Sequence, residues 1–192
     1  MGSIGRGRVA AMVSSTLVAH LKEHSVREGD FTLKSGQKSR WFIDSKQTVC
    51  RPDGIIAVAD AALPFIPDEA TAIGGLTMGA DPVAFGIAAV AATRGRDLRS
   101  FSIRKESKGH GVTGRLAGAL LPGDKVVITE DTVTRGVSPL EAVAAVRELG
   151  AEPILILAVV DRGGTCAAMA AEAGVPFTAL VTAMDLGFAF GE

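Results

Sequence analysis

Only two cysteines, one tryptophan and no tyrosine occur in 192 residues, and these shortages exclude several classes of protein. Cys50 and Cys166 stand far apart and in no metal-ligand spacing, so both are read as reduced thiols with no framework role. Neither sign of charge is in excess. Twenty basic side chains face 21 acidic ones, a net charge of −1, which gives no global attraction to nucleic acid or an anionic bilayer. Any anion binding must therefore be local. No apolar run is long enough to span a membrane, and the start of the chain has amphipathic helical spacing where a signal peptide would carry a continuous apolar block. A cytosolic protein is expected. Internal repeats and low-complexity tracts are lacking too, and the length suits one well-buried domain better than two.

The most informative stretch runs from Lys125 to Leu149. Lys125 to Thr129 is short and β-branched, as expected of a strand covered on both faces of a sheet. Glu130 and Asp131 follow at its end. Then comes a loop of Thr132, Val133, Thr134, Arg135, Gly136 and Val137, in which Gly136 permits a left-handed turn with amides pointing inward. Ser138, Pro139 and Glu141 read as a helix start, with serine at the N-cap, proline at the first position and glutamate at the third. Amides and hydroxyls at a positive helix end thus sit beside two acids. The nest favours an anion and the acids repel one, so a ligand satisfying both presents a phosphate and, a few ångströms away, hydroxyl donors or positive charge. A ribose phosphate fits. The bland alternative is a capped α/β turn whose acids are merely solvated.

Around this stretch, Val9, Val13, Leu17 and Leu21 recur every four residues and predict an amphipathic first helix running to about Lys22. His20 and His24 share a face at a spacing that could hold a metal, but with no third ligand nearby a solvated face is the simpler reading. Phe31, Leu33, Trp41, Phe42 and Ile43 predict two short strands around a Ser-Gly turn, with Lys34 beside apolar neighbours. A helix is expected over Pro52 to Pro64, a strand over Ala72 to Leu76 and a helix from Pro82 to about Thr93. Gly74, Gly75 and Gly79 suit close backbone approach to a ligand.

After a strand at Leu98 to Ile103, Arg104, Lys105, Lys108 and His110 are interleaved with Gly109, Gly111 and Gly114. Charge runs are usually solvated surface. With these glycines the run reads as a mobile basic loop able to close over a polyphosphate. Pro153 to Val160 is expected as the last core strand, and Arg162 beyond it could grip a carboxylate or pair with Asp161. The tail should add a helix and a short strand. Strands alternating with helices, with the polar motifs at strand C-termini, predict a doubly wound α/β core with a mostly parallel sheet.

Three of these stretches resemble, in order, motifs of one family. FTLKSG with the pair Trp41-Phe42 and Asp44 is similar to the N-terminal motif of orotate phosphoribosyltransferases, and Arg104 to Gly111 is similar to their basic loop. TEDTVTRGVS resembles the phosphoribosyl pyrophosphate (PRPP) motif of type I phosphoribosyltransferases, departing from it at Glu130, where aspartate is commoner, and at Arg135. FTALVTAMDLG near the end resembles the actinobacterial type. The resemblance implies a core over about residues 47–161 and a hood built from 1–46 and 162–192. It further implies transfer of phosphoribosyl from PRPP to orotate, with Mg²⁺ held mainly through PRPP, no metal site of the protein's own, and a homodimer with shared active sites.

By position, the resemblance assigns PRPP binding to Lys34, Thr77, Met78, Gly79, Arg104, Lys105, Lys108, His110 and the run from Glu130 to Ser138. It assigns orotate to Phe42, Ile43, Thr134 and Arg162, and catalysis to Lys105, Asp131 and Glu130. Two alternatives remain at this point. A phosphoribosyltransferase for another base would lack Arg162 and the KSG segment, and a non-catalytic PRPP-sensing regulator would show a basic nucleic-acid surface.

Overall fold

The computed structural model describes residues 13–32, 38–108 and 114–191, the side chains of Ser107 and Lys108 excepted. Helix α1 (Ser15–His24) is capped by Ser14, whose hydroxyl accepts from the Leu17 amide at 3.3 Å, and it buries Leu17 and Leu21. The stripe that predicted it begins at Val9, outside the described residues. Strands β1 (Val26–Thr32) and β2 (Lys38–Ile43) then pair antiparallel in a two-stranded sheet of their own, the two strands expected here, while Leu33 and the Ser-Gly turn lie outside the described residues. Alternation along β2 buries Ser39, Trp41 and Ile43 and turns Lys38, Arg40 and Phe42 outward.

The rest of the chain builds one sheet and its covering helices. In order come α2 (Lys46–Val49), α3 (Pro52–Ala62), β3 (Ala72–Leu76), α4 (Ala80–Thr93), β4 (Arg99–Lys108), β5 (Gly114–Gly118) and β6 (Lys125–Val133). They are followed by α5 (Val137–Glu148), β7 (Glu152–Asp161), α6 (Cys166–Glu172), β8 (Phe177–Thr182) and α7 (Ala183–Leu186). The strands lie in the order β5-β4-β3-β6-β7-β8, parallel except for β5. Period-two alternation divides the core: Ile73, Val127, Leu157 and Val159 face one way with α1, α3 and α4, while Ala72, Val126, Ile128 and Ile156 face the other with α5 and Ala170 of α6. This is the doubly wound arrangement. Among the described residues, no helix is long and apolar enough to cross a membrane.

The topology places the site. From β3 the chain leaves through α4 on one face towards β4, and from the adjacent β6 it leaves through α5 on the opposite face towards β7. A crevice opens at such a switch point, beyond the strands' C-terminal ends. The β3–β6 ladder reaches only Gly74 and Ile128, whereas β6 stays paired with β7 as far as Val133 and Asp161. The end of β6 therefore projects into that crevice with β7 behind it.

Three elements differ from the sequence reading. Strand β4 continues through Arg104 and Lys105 to Lys108 because β5 supplies an antiparallel partner, and the Arg115 guanidinium donates to the Arg104 carbonyl at 2.6 Å. The basic run up to Lys108 is thus strand, and the loop reading fails for that part. Strand β8 adds a further parallel edge to β7, so β7 is not the last core strand. Finally, Glu130 and Asp131 belong to β6 itself, and α5 starts at Val137, with Gly136 (φ +79°) as its N-cap in place of Ser138.

Packing at β3 yields a stability test. A Cβ on Gly75 would lie 2.3 Å from the Thr129 carbonyl oxygen of β6 and 2.7 Å from the Ala80 Cβ that opens α4. Gly75→Ala should destabilise the fold by about 1–3 kcal/mol, the range for overpacking a filled core. An unchanged melting temperature would show that β3 and β6 are free to separate.

Candidate active site

At the end of β6, Glu130 and Asp131 are both buried, 6% and 5% exposed. Burying adjacent carboxylates requires partners, and they come from several elements. The Lys46 ammonium, at the start of α2, lies 2.6 Å from Asp131 Oδ2, and the Ser45 hydroxyl donates to the same oxygen at 3.0 Å. Ser45 Oγ also lies 2.6 Å from Thr132 Oγ1, while Asp131 Oδ1 accepts from the Thr132 amide at 2.9 Å. Glu130 Oε1 accepts from the Asp131 amide at 3.3 Å. Burial first, and then repulsion from Asp131, pushes the Glu130 carboxyl up to about 8. Lys46 is pulled down by burial but raised overall by its hydrogen bond to Asp131 and that carboxylate's charge.

Gly79, at the turn between β3 and α4, closes over this pair. A Cβ there would fall 1.9 Å from Glu130 Oε1 and 2.7 Å from Asp131 Oδ1. The Thr77 amide donates to the Ile103 carbonyl at 2.9 Å, the Thr77–Met78 peptide is cis, and Met78 is exposed. Beyond the acids opens a cavity of about 1020 Å³, lined on one side by Thr132 to Pro139 and on the other by Phe31, Thr32, Phe42, Arg162 and Gly191. The start of α5 therefore presents its amide-rich end to the cavity.

Arg162, at the end of β7, is buried and does not pair with Asp161. Asp161 instead accepts from the Gly163 and Gly164 amides at 3.1 and 2.8 Å, which fixes the turn after the strand. The Arg162 guanidinium reaches across to the hairpin, donating to Ser39 Oγ at 2.9 Å and to the Trp41 carbonyl at 3.3 Å, with Cζ 4.8 Å from the Trp41 ring centroid. On that indole the Phe188 ring stacks at 4.3 Å. Phe31 and Phe42, their centroids 5.8 Å apart, form an apolar wall of the cavity.

The expected site residues thus converge in large part. Glu130, Asp131, Thr132 to Ser138, Thr77 to Gly79, Phe42 and Arg162 gather at the strand ends. Ile43 does not line the cavity, because alternation along β2 sends it into the core. Arg104 and Lys105 stand on β4, Lys105 exposed. Lys34 and His110 lie outside the described residues, as does the side chain of Lys108. Lys46, Ser45, Phe31 and Gly191 were not expected at the site. No spacing marks them, and only the meeting of α2, the hairpin and the tail with β6 and β7 brings them in. His20, read as solvated, is mostly buried, with Nδ1 3.1 Å from Thr48 Oγ1.

Comparison with known proteins agrees with this geometry, although no family model matches the chain. Orotate phosphoribosyltransferase of Corynebacterium glutamicum is 40% identical over 93% of this chain and 96% of that protein. The crystal structure of Mycobacterium tuberculosis orotate phosphoribosyltransferase in complex with Fe(III) dicitrate superposes with a TM-score of 0.80 at 31% identity, covering 90% of this chain and 97% of that one. The same enzyme in complex with PRPP gives 0.76 at 28% identity over the same shares.

The buried acid pair carries a pH signature. Between the ordinary value of 4.5 and about 8, folded Glu130 holds a proton that the unfolded chain has released, so its contribution to stability is lost as pH rises through that window. The slope is at most about 1.4 kcal/mol per pH unit. Glu130→Gln should flatten the fall in melting temperature between pH 5 and 8 by up to about 3–5 °C per unit. Parallel curves for the variant and the wild type would mean that Glu130 is ionised throughout.

Proposed function

Because the chain belongs to the orotate phosphoribosyltransferase family and transfers the phosphoribosyl group of PRPP to orotate in pyrimidine biosynthesis, we propose that the cavity at the β3–β6 switch point is where this reaction occurs. The observation that carries the assignment is a cavity lined by an amide-rich helix start and an arginine, with two buried acids immediately before its lining residue Thr132. Residues Thr134 to Ser138 hold the 5′-phosphate at the start of α5. Asp131 and Glu130 accept hydrogen bonds from the ribose hydroxyls. As the bond from C1 to pyrophosphate breaks and the bond to N1 of orotate forms, positive charge grows on the ribose beside this acid pair. Thr77 to Gly79 contact the pyrophosphate, with Arg104, Lys105, Lys108, His110 and Lys34 meeting its growing negative charge.

Orotate lies against Phe42, with Thr134 beside it and its carboxylate towards Arg162, whose planar fork suits a carboxylate. In this reading Mg²⁺ enters with PRPP and is held mainly through that substrate. When bound, Mg²⁺ neutralises charge on the diphosphate of PRPP. The same reading makes the protein a cytosolic homodimer in which the 104–111 segment of one subunit completes the site of its neighbour. In it, 1–46 and the residues after β8 serve as the hood over a core that includes β8.

Purified protein with PRPP, Mg²⁺ and a panel of bases tests this reading directly: orotate absorbance should fall, and no other base should be consumed at a comparable rate. Asp131→Asn should retain the fold and lose roughly 10²-fold or more in kcat/KM, the scale of one preorganised electrostatic group. A folded variant with near-normal turnover would remove Asp131 from the mechanism. Arg162→Ala should weaken orotate far more than PRPP, by about 2–4 kcal/mol for a buried charge pair. Equal losses for both substrates would make Arg162 a structural brace for the hairpin alone.

A further inference from the structure

Lys46 has no part in the roles assigned above, yet it makes the shortest polar contact to the acid pair: Nζ to Asp131 Oδ2 at 2.6 Å. It stands at the first position of α2, where the helix end gives a cation no help. Its side chain is 42% exposed, against 8% for the Asp131 side chain, so the lysine reaches from the rim inward. The charged groups facing the contact are few. Glu130 lies on the same strand, Asp44 precedes α2, and both act on Lys46, while the Thr77–Gly79 turn adds none. Ser45 and Thr132 complete the surround as neutral hydroxyls.

We propose that Lys46 is a positioning residue for the transfer reaction, its ammonium keeping the negative charge of the acid pair on Asp131 and holding that carboxylate towards the ribose. The inference rests on the reading that Asp131 receives the ribose as charge develops. Two adjacent buried carboxylates with no cation beside them would share a single proton over a broad range of pH. Lys46 breaks that symmetry. Among the described residues its ammonium bonds Asp131 Oδ2 and not Glu130, so the proton resides on Glu130 and the charge resides on Asp131. Glu130 Oε1 accepts from a backbone amide, which leaves Oε2 as the natural seat of that proton. The ligand class is unchanged; what Lys46 adds is the protonation state of the carboxylate that meets it.

The test is the pH dependence of kcat/KM for PRPP in the full-length protein. Lys46→Met should move the acid limb of the profile upward by about one to three pH units, the span over which a nearby cation governs a carboxylate. Above the new limb the variant should regain most of its kcat. Lys46→Arg, which keeps the cation, should restore the wild-type limb, and Lys46→Gln should behave as Lys46→Met, so that a folding defect peculiar to one variant does not decide the result. Melting temperatures are read alongside. A wild-type acid limb in both neutral variants, with Asp131→Asn still inactive, would overturn the role of Lys46 and leave the assignment of Asp131 standing. Full activity in Asp131→Asn would instead overturn the reading beneath it.

Discussion

Glu130 and Asp131 are consecutive residues on one strand, both nearly sealed from water, and no packing of apolar groups could tolerate two ionised carboxylates there without compensation. Each neighbouring element contributes to that compensation. The segment before β3 brings Lys46 and Ser45 into place, the strand's own amides bond both side chains, and the turn after β3 passes so close that only a glycine can stand opposite the acids. Such an arrangement is costly for an empty protein and useful to one that must stabilise a positive charge appearing on its ligand. The cost is met before the ligand arrives, which is the meaning of preorganisation.

The sheet makes this possible by being incomplete where it matters. Strands β3 and β6 are hydrogen-bonded only near their starts, and their helices leave on opposite faces. The end of β6 keeps its ladder with β7 on one side and has lost it on the other. Its acids are therefore held in register by one neighbour and meet on the other side only the turn after β3, at Gly79. The amides of the helix start, the acids and the arginine come from β6, the loop after it and β7, the strands that hold one another in register out to Asp161.

What could be read from the sequence follows the range over which its signals act. Local signals served well: the β-branched run of β6, the glycines after β3, the proline-led helix α3 and the hairpin at Phe31 to Ile43 all depend on neighbours within a few residues. Failures arose where distant pairing decided the outcome. Arg104 and Lys105 look like loop residues until β5 supplies a ladder, and β7 looks like the last core strand until the short strand expected in the tail pairs with its edge as β8. Ile43 was grouped with Phe42 because adjacency in sequence suggested a shared role, yet a strand sends adjacent side chains to opposite faces. Lys46 carries no motif at all. Its relevance comes from a contact between residues 85 positions apart.

Trp41 lies between the Arg162 guanidinium and the Phe188 ring, wholly buried, and it is the chain's single tryptophan. Indole emission responds to a cation and an aromatic ring at these distances, and no second fluorophore of its kind competes. The protein thus contains its own optical reporter, wired to the arginine at the cavity wall. A ligand that draws Arg162 away from the indole should therefore register in the emission of this one side chain.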